Sequence, residues 1–201
     1  VGKDDMRHFS LKTGGMAGLF DPNAASVNID WHETVRQQER GFNFENRYAR
    51  LDWKNTEGGT DYLSEASTKQ KTTEEPMDWV AFKNQFFSSV IIAKDGFDKN
   101  ANLESTLYNK ESQDNWKVRY LKDFKASMKT AFDPSGKKAT ELEFYYGPND
   151  FYTLKKVEKE STFGKDLDME KLVYLGWPLF RIINRWFTMP VFTWLTSWGF
   201  N

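Results

Sequence analysis

The sequence contains no cysteine and only two histidines, His8 and His32, among its 201 residues. Without cysteine the chain has neither a disulfide framework nor a thiolate nucleophile or metal ligand. Neither histidine lies in a metal-binding spacing such as HExxH, and no GxSxG nucleophile motif or phosphate-binding glycine loop is present. The sequence therefore predicts a protein without enzymatic activity, cofactor or bound metal.

A basic surplus is also missing, because 28 Lys and Arg residues stand against 29 Asp and Glu residues and the formal net charge is -1. Proteins that bind nucleic acid need such a surplus to neutralise phosphates, so no nucleic-acid partner is expected. Two carboxylates across a groove are the arrangement of a glycosidase. Acidic residues are so frequent here that we instead interpret Glu39, Glu45, Glu141 and Glu143 as parts of solvated faces.

Residues 1–146 show short alternations of apolar and polar residues, separated by turn-forming residues. This pattern is typical of a mainly β domain. We predict two strands within residues 6–33, a bulged strand over 41–53, an exposed edge or loop over 63–75, and further strands within 102–108, 115–132 and 140–146.

The most hydrophobic internal run is residues 78–94, which are rich in β-branched and aromatic side chains. We predict one central strand there, with Phe86, Phe87 and residues 90–92 in the core. A helix over the same residues is the alternative.

The character of the sequence changes at residue 147, where helix-forming residues replace the alternation. Asn149 or Asp150 is a suitable N-cap for a helix over residues 152–160, and a second short helix is expected over 168–175. We therefore predict a helical neck over residues 147–176.

Residues 177–201 hold four of the eight tryptophans and only two charged residues, Arg181 and Arg185. Polar residues recur at helical spacing, and Pro190 interrupts the pattern, which predicts two short amphipathic helices end to end. Its apolar run, residues 186–200, is shorter than the about 20 apolar residues that cross a bilayer, and Pro190 and several hydroxyl groups interrupt it.

Tryptophan and arginine favour the headgroup region of a membrane, so we predict that residues 177–201 lie in the membrane interface. A helix docked on the protein's own core is the alternative. We expect this chain to be part of a longer protein with a membrane span after Asn201. Arg181 and Arg185 are expected to face headgroups or water, and the predicted interfacial side chains are Trp177, Leu179, Phe180, Ile183, Trp186, Phe187, Phe192, Trp194, Leu195 and Trp198.

Three segments, in this order, carry a family resemblance: WVAFKNQFF (residues 79–87), YYGPND (145–150), and WPLF (177–180) with WGF (198–200). Residues 31–53, which include RQQER, add to it. Together they resemble the large periplasmic domain of the YidC family of bacterial membrane protein insertases, over residues 26–201. The motif residues that carry the resemblance are Trp79, Phe86, Phe87, Gly147 and Pro148.

The resemblance implies a β-supersandwich of antiparallel sheets followed by short C-terminal helices. It also implies a place on the periplasmic side of the Gram-negative inner membrane, anchored by transmembrane helices outside this chain. The implied function is to assist insertion and folding of inner-membrane proteins without nucleotide or metal, alone or with the Sec translocase. The implied partners are SecD/SecF-type components, nascent membrane proteins and the membrane surface.

A carbohydrate-binding or mutarotase-like β-sandwich is the alternative function, because the supersandwich resembles the fold of sugar mutarotases. A mutarotase needs a buried histidine and a carboxylate that face one cleft, and only His8 and His32 are available for it. Trp31, Trp53, Trp79 and Trp116 are expected in strands, where they either pack in the core or form a platform for sugars.

Overall fold

The computed structural model describes residues 6–15, 18–21, 23–63, 65–109, 119–173, 186–187 and 189–198. The chain divides into two compact units, Val1–Glu170 and Lys171–Asn201. The division predicted from the sequence, at residues 146 and 176, stays a prediction.

In the part of the chain that the structure describes, ten strands form two antiparallel sheets. The larger sheet has the order β1-β10-β7-β6-β3-β4, and the smaller has the order β2-β9-β8-β5. The mainly β, antiparallel fold predicted from the sequence is confirmed. The strands are β1 (Met6–Leu11), β2 (Ser26–Arg36), β3 (Arg50–Asn55), β4 (Thr60–Tyr62), β5 (Lys69–Thr72), β6 (Met77–Lys83), β7 (Phe87–Phe97), β8 (Asn102–Leu107), β9 (Tyr120–Ala131) and β10 (Thr140–Pro148).

The hydrophobic core lies between the two sheets, because the strands alternate inward apolar and outward polar residues. In β2, the inward positions pack against the larger sheet, and the Trp31 ring stacks on Phe82 with centroids 3.9 Å apart. Phe82 also contacts Phe124 of β9 at 5.4 Å. The largest fully buried members of this core are Trp53, Phe82, Phe97, Phe124, Leu51, Met77, Leu103 and Leu121.

The strand predicted over residues 41–53 is wrong in its first half, which forms the helix α1 (Phe42–Tyr48). Gly41 precedes α1 with φ 107° and ψ 63°, a left-handed conformation that favours glycine. The Glu45 carboxylate is buried and accepts hydrogen bonds from the backbone N–H groups of Gln38, at 2.9 Å, and Glu39. These tertiary contacts favour a helix over the strand preference of the aromatic residues.

The single strand predicted over residues 78–94 is two strands, β6 and β7, joined by a tight turn. The Asn84 side-chain oxygen accepts hydrogen bonds from the backbone N–H groups of Phe86 and Phe87, both at 2.8 Å. Phe86 and Phe87 are exposed at this turn, so the prediction that they lie in the core is wrong. Residues 90–92 are buried as predicted.

The helix α2 (Phe151–Glu160) confirms the helix predicted over residues 152–160. Asp150 is its N-cap and accepts a hydrogen bond from the Thr153 N–H at 2.8 Å. The helix buries Phe151, Leu154 and Val157. Residues 161–168, which follow α2, lie against the face of the larger sheet that points away from the smaller sheet.

Residue 169 begins a short 3-10 helix, Met169–Leu172, where the sequence predicts a helix over 168–175. The last described helix is α3 (Met189–Ser197). Pro190 lies in the first turn of α3. The N–H groups of a first turn have no intrahelical acceptor, so proline costs no hydrogen bond there. No helix among the described residues is long and apolar enough to cross a membrane.

Candidate functional site

The helix α3 and the two described residues before it present large apolar side chains to solvent. Trp186 is 76% exposed and Trp198 is 68% exposed, and Phe187, Phe192 and Trp194 are also exposed. Leu195 is half-buried. The remaining predicted site residues, Trp177, Leu179, Phe180, Arg181, Ile183 and Arg185, lie outside the described residues.

The helix α3 has no charged residue, so its transfer into an apolar environment requires no loss of ion hydration. The Ser197 hydroxyl donates a hydrogen bond to the Trp194 carbonyl oxygen at 2.6 Å, which satisfies this polar group within the helix. The rings of Trp194 and Trp198, one turn apart, lie with centroids 5.3 Å apart. Such a surface can bury its apolar area in a lipid headgroup region while each indole N–H stays near water.

The motif tryptophan, Trp79, is a structural residue. It is fully buried, and its Nε1–H donates a hydrogen bond to the Leu167 carbonyl oxygen at 2.7 Å. Val80, the next residue, points into the core between the sheets. Trp79 therefore points to the opposite face of the larger sheet, where its hydrogen bond holds residues 161–168.

Gly147 and Pro148 form the corner between β10 and α2. The Tyr145 hydroxyl folds over the backbone and donates a hydrogen bond to the Pro148 carbonyl oxygen at 2.9 Å. A Cβ atom on residue 147 would lie 2.3 Å from that hydroxyl oxygen, so only glycine fits. The motif therefore determines a backbone corner rather than a ligand contact.

Asn149 joins this corner to the turn between β6 and β7. Its side-chain amide donates to the Asn84 carbonyl oxygen at 2.8 Å, and its backbone N–H donates to the Phe86 carbonyl oxygen at 2.7 Å. The Ser88 hydroxyl donates to the Asn149 side-chain oxygen. These hydrogen bonds join two motif segments, with Asn84 and Asn149 65 residues apart in the sequence, and Phe86 and Phe87 lie exposed beside them.

Buried charged residues near β3 were missed by the sequence analysis. Arg50 forms a bidentate ion pair with Asp52, at 2.6 Å and 2.7 Å, and its guanidinium lies 4.1 Å from the Tyr62 ring centroid. Arg50 also contacts the Glu65 carboxylate at 3.3 Å. Burial lowers the pKa of the nearby Lys83 ammonium to about 8.

Lys122 is another buried basic residue, and its Nζ donates hydrogen bonds to the carbonyl oxygens of Ala49, at 2.7 Å, and Glu65, at 2.8 Å. Burial lowers its pKa to about 8. The sequence held a signal for this position, because Lys122 is in phase with the inward residues Phe124 and Ala126. Lys122 connects the start of β3 to the segment after β4, which is a structural role.

The arrangement that a mutarotase needs is not found at either histidine. His8 Nδ1 lies 3.7 Å from a Glu143 carboxylate oxygen and His32 Nε2 lies 2.6 Å from Asp123, but the two histidine side chains are 39% and 56% exposed. Glu143 is buried and accepts hydrogen bonds from Ser161 and Thr162, so it supports the segment after α2.

The expectation that Glu45 and Glu143 lie on solvated faces is therefore wrong, since the fold uses both as buried acceptors. Trp53 and Trp79 are buried in strands β3 and β6, and Trp31 packs on Phe82 in the core, so none of these three forms a sugar platform. Trp116 lies outside the described residues. Among the described residues, no group of three or more His, Cys, Asp or Glu side chains is placed to hold a metal ion.

Residues 23–194 match the family described as the YidC periplasmic domain. A relative from Phocaeicola vulgatus, named "Membrane protein insertase YidC", is 46% identical over 98% of this chain and 30% of its own length. A protein of the same name from Bacteroides fragilis is 42% identical over 96% of this chain. One from Porphyromonas gingivalis is 30% identical over 98% of this chain. These alignments span 30% and 31% of the two proteins.

The chain therefore spans less than a third of the curated relatives it matches. Within that part, the matched residues include β2 to β10, both helices of the first unit and most of α3. The likeness to relatives also extends to the N-terminal side of residue 26. From the match over residues 23–194 and the relatives at up to 46% identity, this chain belongs to the YidC periplasmic domain family.

Proposed function

We propose that this chain is the periplasmic accessory domain of a membrane protein insertase and assists the insertion and folding of inner-membrane proteins. The observation that carries the proposal is the 46% identity, over 98% of the chain, to a protein named as such an insertase. The role requires a folded scaffold beside the membrane and no cofactor, metal or covalent catalysis. The sandwich supplies the scaffold, and the motif residues Trp79, Gly147 and Pro148 have structural roles in it.

The proposed location is the periplasmic side of a Gram-negative inner membrane, with transmembrane helices of the parent protein as anchors. Residues 177–200 would lie in the interface, with Arg181 and Arg185 toward phosphate groups or water. This placement is supported by the exposure of Trp186, Trp194 and Trp198. Each large apolar side chain contributes about 1.5 to 3 kcal/mol when it is fully withdrawn from water.

Tryptophan fluorescence tests the interfacial site. The chain is mixed with anionic liposomes and compared with a version that ends at Leu175. We expect a blue shift in the complete chain and none in the shorter one, because the exposed tryptophans follow residue 175. An equal shift in both, or a shift in neither, would favour a docked C-terminal helix.

Insertion in proteoliposomes tests the function itself. The parent insertase is reconstituted, and a substrate membrane protein is scored by its protection from protease. We expect that replacing Trp186, Trp194 and Trp198 with Ser lowers the inserted fraction several-fold. The control is Tyr152→Ser, because Tyr152 is an exposed aromatic residue of α2. Equal inserted fractions for the triple variant and the control would show that these three tryptophans are not needed for insertion.

SecD/SecF-type components and nascent membrane proteins are the proposed partners. The parent protein, with and without residues 6–146, is used to capture partners from solubilised membranes. Recovery of SecD/SecF-type components that depends on these residues would support a docking role for the sandwich. Recovery that is the same without them would restrict the partner contact to the rest of the parent protein.

A further inference from the structure

The arginines of the sandwich lie at one of its two ends. The sequence has eight arginines, and six of them precede residue 171. Each of the six lies within two residues of a strand end or in the segment that joins β2 to β3. They are Arg7, Arg36, Arg40, Arg47, Arg50 and Arg119.

The strand ends that carry these arginines lie together. The start of β3 pairs with the end of β6, and the start of β1 pairs near the end of β10. The Gln37 N–H, directly after β2, donates a hydrogen bond to the Arg119 carbonyl oxygen, directly before β9, at 2.9 Å. The Lys122 Nζ donates to the Ala49 carbonyl oxygen, so the start of β9 lies beside the start of β3. We call residues 6–7, 36–50, 83–87, 119–122 and 145–148 the arginine end.

The surface of the arginine end has an excess of positive charge. Five of its six arginines are exposed, whereas Arg50 is buried and paired with Asp52. Among the described residues in this end and directly beside it, the exposed acidic residues are Glu39 and Asp150, and Asp150 caps α2. The chain as a whole has a net charge of -1, so its positive charge is concentrated here. Such a concentration attracts an anionic surface.

The opposite end of the sandwich has a different composition. Its five connections contain six acidic residues, four lysines and no arginine. An anionic surface would therefore favour one end of the sandwich over the other. The five connections are residues 12–25, 56–59, 73–76, 98–101 and 132–139.

Exposed aromatic side chains accompany the arginines. Phe86 and Phe87 are exposed at the turn between β6 and β7, and Phe44 is exposed on α1. Tyr146 is 63% exposed, and its ring lies parallel to that of Phe87 with centroids 6.4 Å apart. A guanidinium can donate two hydrogen bonds to one phosphate group, and aromatic rings favour the layer where headgroups meet acyl chains. The two residue types together match the chemistry of a lipid headgroup layer.

We propose that the arginine end is a second membrane-contact surface, which binds phosphate groups of anionic lipids and places Phe86 and Phe87 among the headgroups. This surface is separate in sequence from residues 177–201. The inference rests on the proposed location beside a membrane, and it does not depend on lipid contact by residues 177–201.

The arrangement of the arginine end favours a lipid surface over an acidic polypeptide. Its charged and aromatic side chains come from separate segments, and several of them project from turns or from α1. A fluid layer of headgroups can match scattered, projecting groups, because each lipid moves independently. A bound peptide instead needs a continuous groove or strand edge along which its residues lie.

Two matched triple variants of the complete chain test the charge contact by co-sedimentation with liposomes. Replacing Arg40, Arg47 and Arg119 with Gln should lower the partition coefficient on anionic liposomes at least about tenfold, since each basic residue near such a surface contributes to binding. Replacing Lys12, Lys99 and Lys137 with Gln is the control. It removes the same charge from exposed positions at the opposite end and should lower the coefficient less than about twofold.

Salt and lipid composition sharpen this comparison. On zwitterionic liposomes, or in about 1 M salt, both triple variants should bind like the unchanged chain, because screening removes the contribution of exposed charges. Equal losses for the two variants on anionic liposomes would contradict the proposal, since net charge alone would then explain binding. Both variants keep residues 177–201, and a chain that ends at Leu175 keeps the arginine end, so the two membrane contacts can fail separately.

A spin label tests which part of the sandwich enters the lipid. The chain has no cysteine, so Phe86→Cys gives a single labelling position, and Gly59→Cys gives a control position at the opposite end. With anionic liposomes, the label at position 86 should become more accessible to oxygen and less accessible to a water-soluble nickel complex, and the label at position 59 should not change. A label at position 86 that ignores liposomes but becomes immobile with a substrate membrane protein would replace the lipid by a polypeptide partner and overturn the proposal.

Discussion

Among the described residues, the tryptophans of β3 and β6 and those at positions 186, 194 and 198 are placed in opposite ways. Trp79 is fully buried and its indole N–H donates to the Leu167 carbonyl oxygen, and Trp53 is buried with its N–H 3.1 Å from the Asn55 side chain. Trp186, Trp194 and Trp198 are exposed. The same residue type stabilises the fold in the first unit and is available for binding in the second.

This comparison shows that a tryptophan in a family motif is not by itself a functional residue. What distinguishes the two sets is whether the N–H group has a protein acceptor and whether the ring is covered. The following substitutions test that distinction, from the largest expected effect to the smallest.

Trp79→Ala should lower the free energy of unfolding by about 4 kcal/mol, because it leaves a large cavity and an unpaired Leu167 carbonyl group. Trp194→Ala should change the same quantity by less than about 0.5 kcal/mol in the absence of lipid. Urea denaturation followed by far-UV circular dichroism measures both. Similar losses for the two variants would mean that α3 is part of the cooperative fold.

Gly147→Ala should lower the free energy of unfolding by about 2 kcal/mol, since the new Cβ meets the Tyr145 ring and the corner must shift. Gly59→Ala is the matched control, because no atom lies within 4 Å of the Cβ position there. The same denaturation experiment applies. A tolerated alanine at position 147 would show that the corner can move without cost to the fold.

Trp194→Ala should weaken binding of the chain to anionic liposomes by about tenfold, because one large apolar side chain no longer enters the interface. Tyr62→Ala, an exposed aromatic substitution in the sandwich, should leave binding unchanged. Co-sedimentation with liposomes gives both partition coefficients. If only the Tyr62 variant lost binding, the sandwich and not α3 would be the part that contacts lipid.

The free energy of unfolding should rise between about pH 8 and pH 10.5, by up to about 1.4 kcal/mol per pH unit for each of Lys83 and Lys122. The pKa of Lys122 is lowered to about 8 in the folded protein, so in this range the unfolded chain binds more protons than the fold does. Below pH 8 both states hold the proton, and this contribution stops changing. Lys122→Met should reduce the slope in urea denaturation across this range, and an unchanged slope would show that Lys122 does not titrate there.

The strands with regular alternation could be predicted from the sequence. In β2 and β9 the residues that face the other sheet repeat every second position, and a sheet with one face on the core requires this period. The N-cap at Asp150 was also predictable, because a short acidic side chain before a helical pattern satisfies a free N–H group.

The errors have specific physical causes. Phe42, Phe44 and Tyr48 favour strands by residue type, but the contacts of Glu45 with the preceding loop stabilise a helix, and such long-range contacts are not visible in a local pattern. Residues 78–94 were predicted as one strand because the run is hydrophobic, but it contains a turn between β6 and β7. The polar pair Asn84 and Gln85 was the available signal, since asparagine bonds to nearby backbone groups and so favours turns.

The membrane-interface site stays a prediction. The structure shows that Trp186, Phe187 and the aromatic residues of α3 are exposed, and exposure alone does not identify what they contact. The order of the strands within each sheet could not be predicted, because it depends on pairing between residues that are far apart in the sequence.

The attachment of residues 161–168 to the larger sheet has a mechanical consequence. If the C-terminal side of the chain is pulled, the load reaches the Trp79 to Leu167 hydrogen bond and the Lys165 to Asp78 ion pair, at 2.7 Å each, before it reaches α2. The Glu158 carboxylate of α2 accepts a hydrogen bond from the Leu167 N–H at 2.7 Å, so α2 is joined to the same segment. Tension from the C-terminal side is therefore shared among several bonds to β6, in the middle of the larger sheet, and does not first separate β10 from its neighbours.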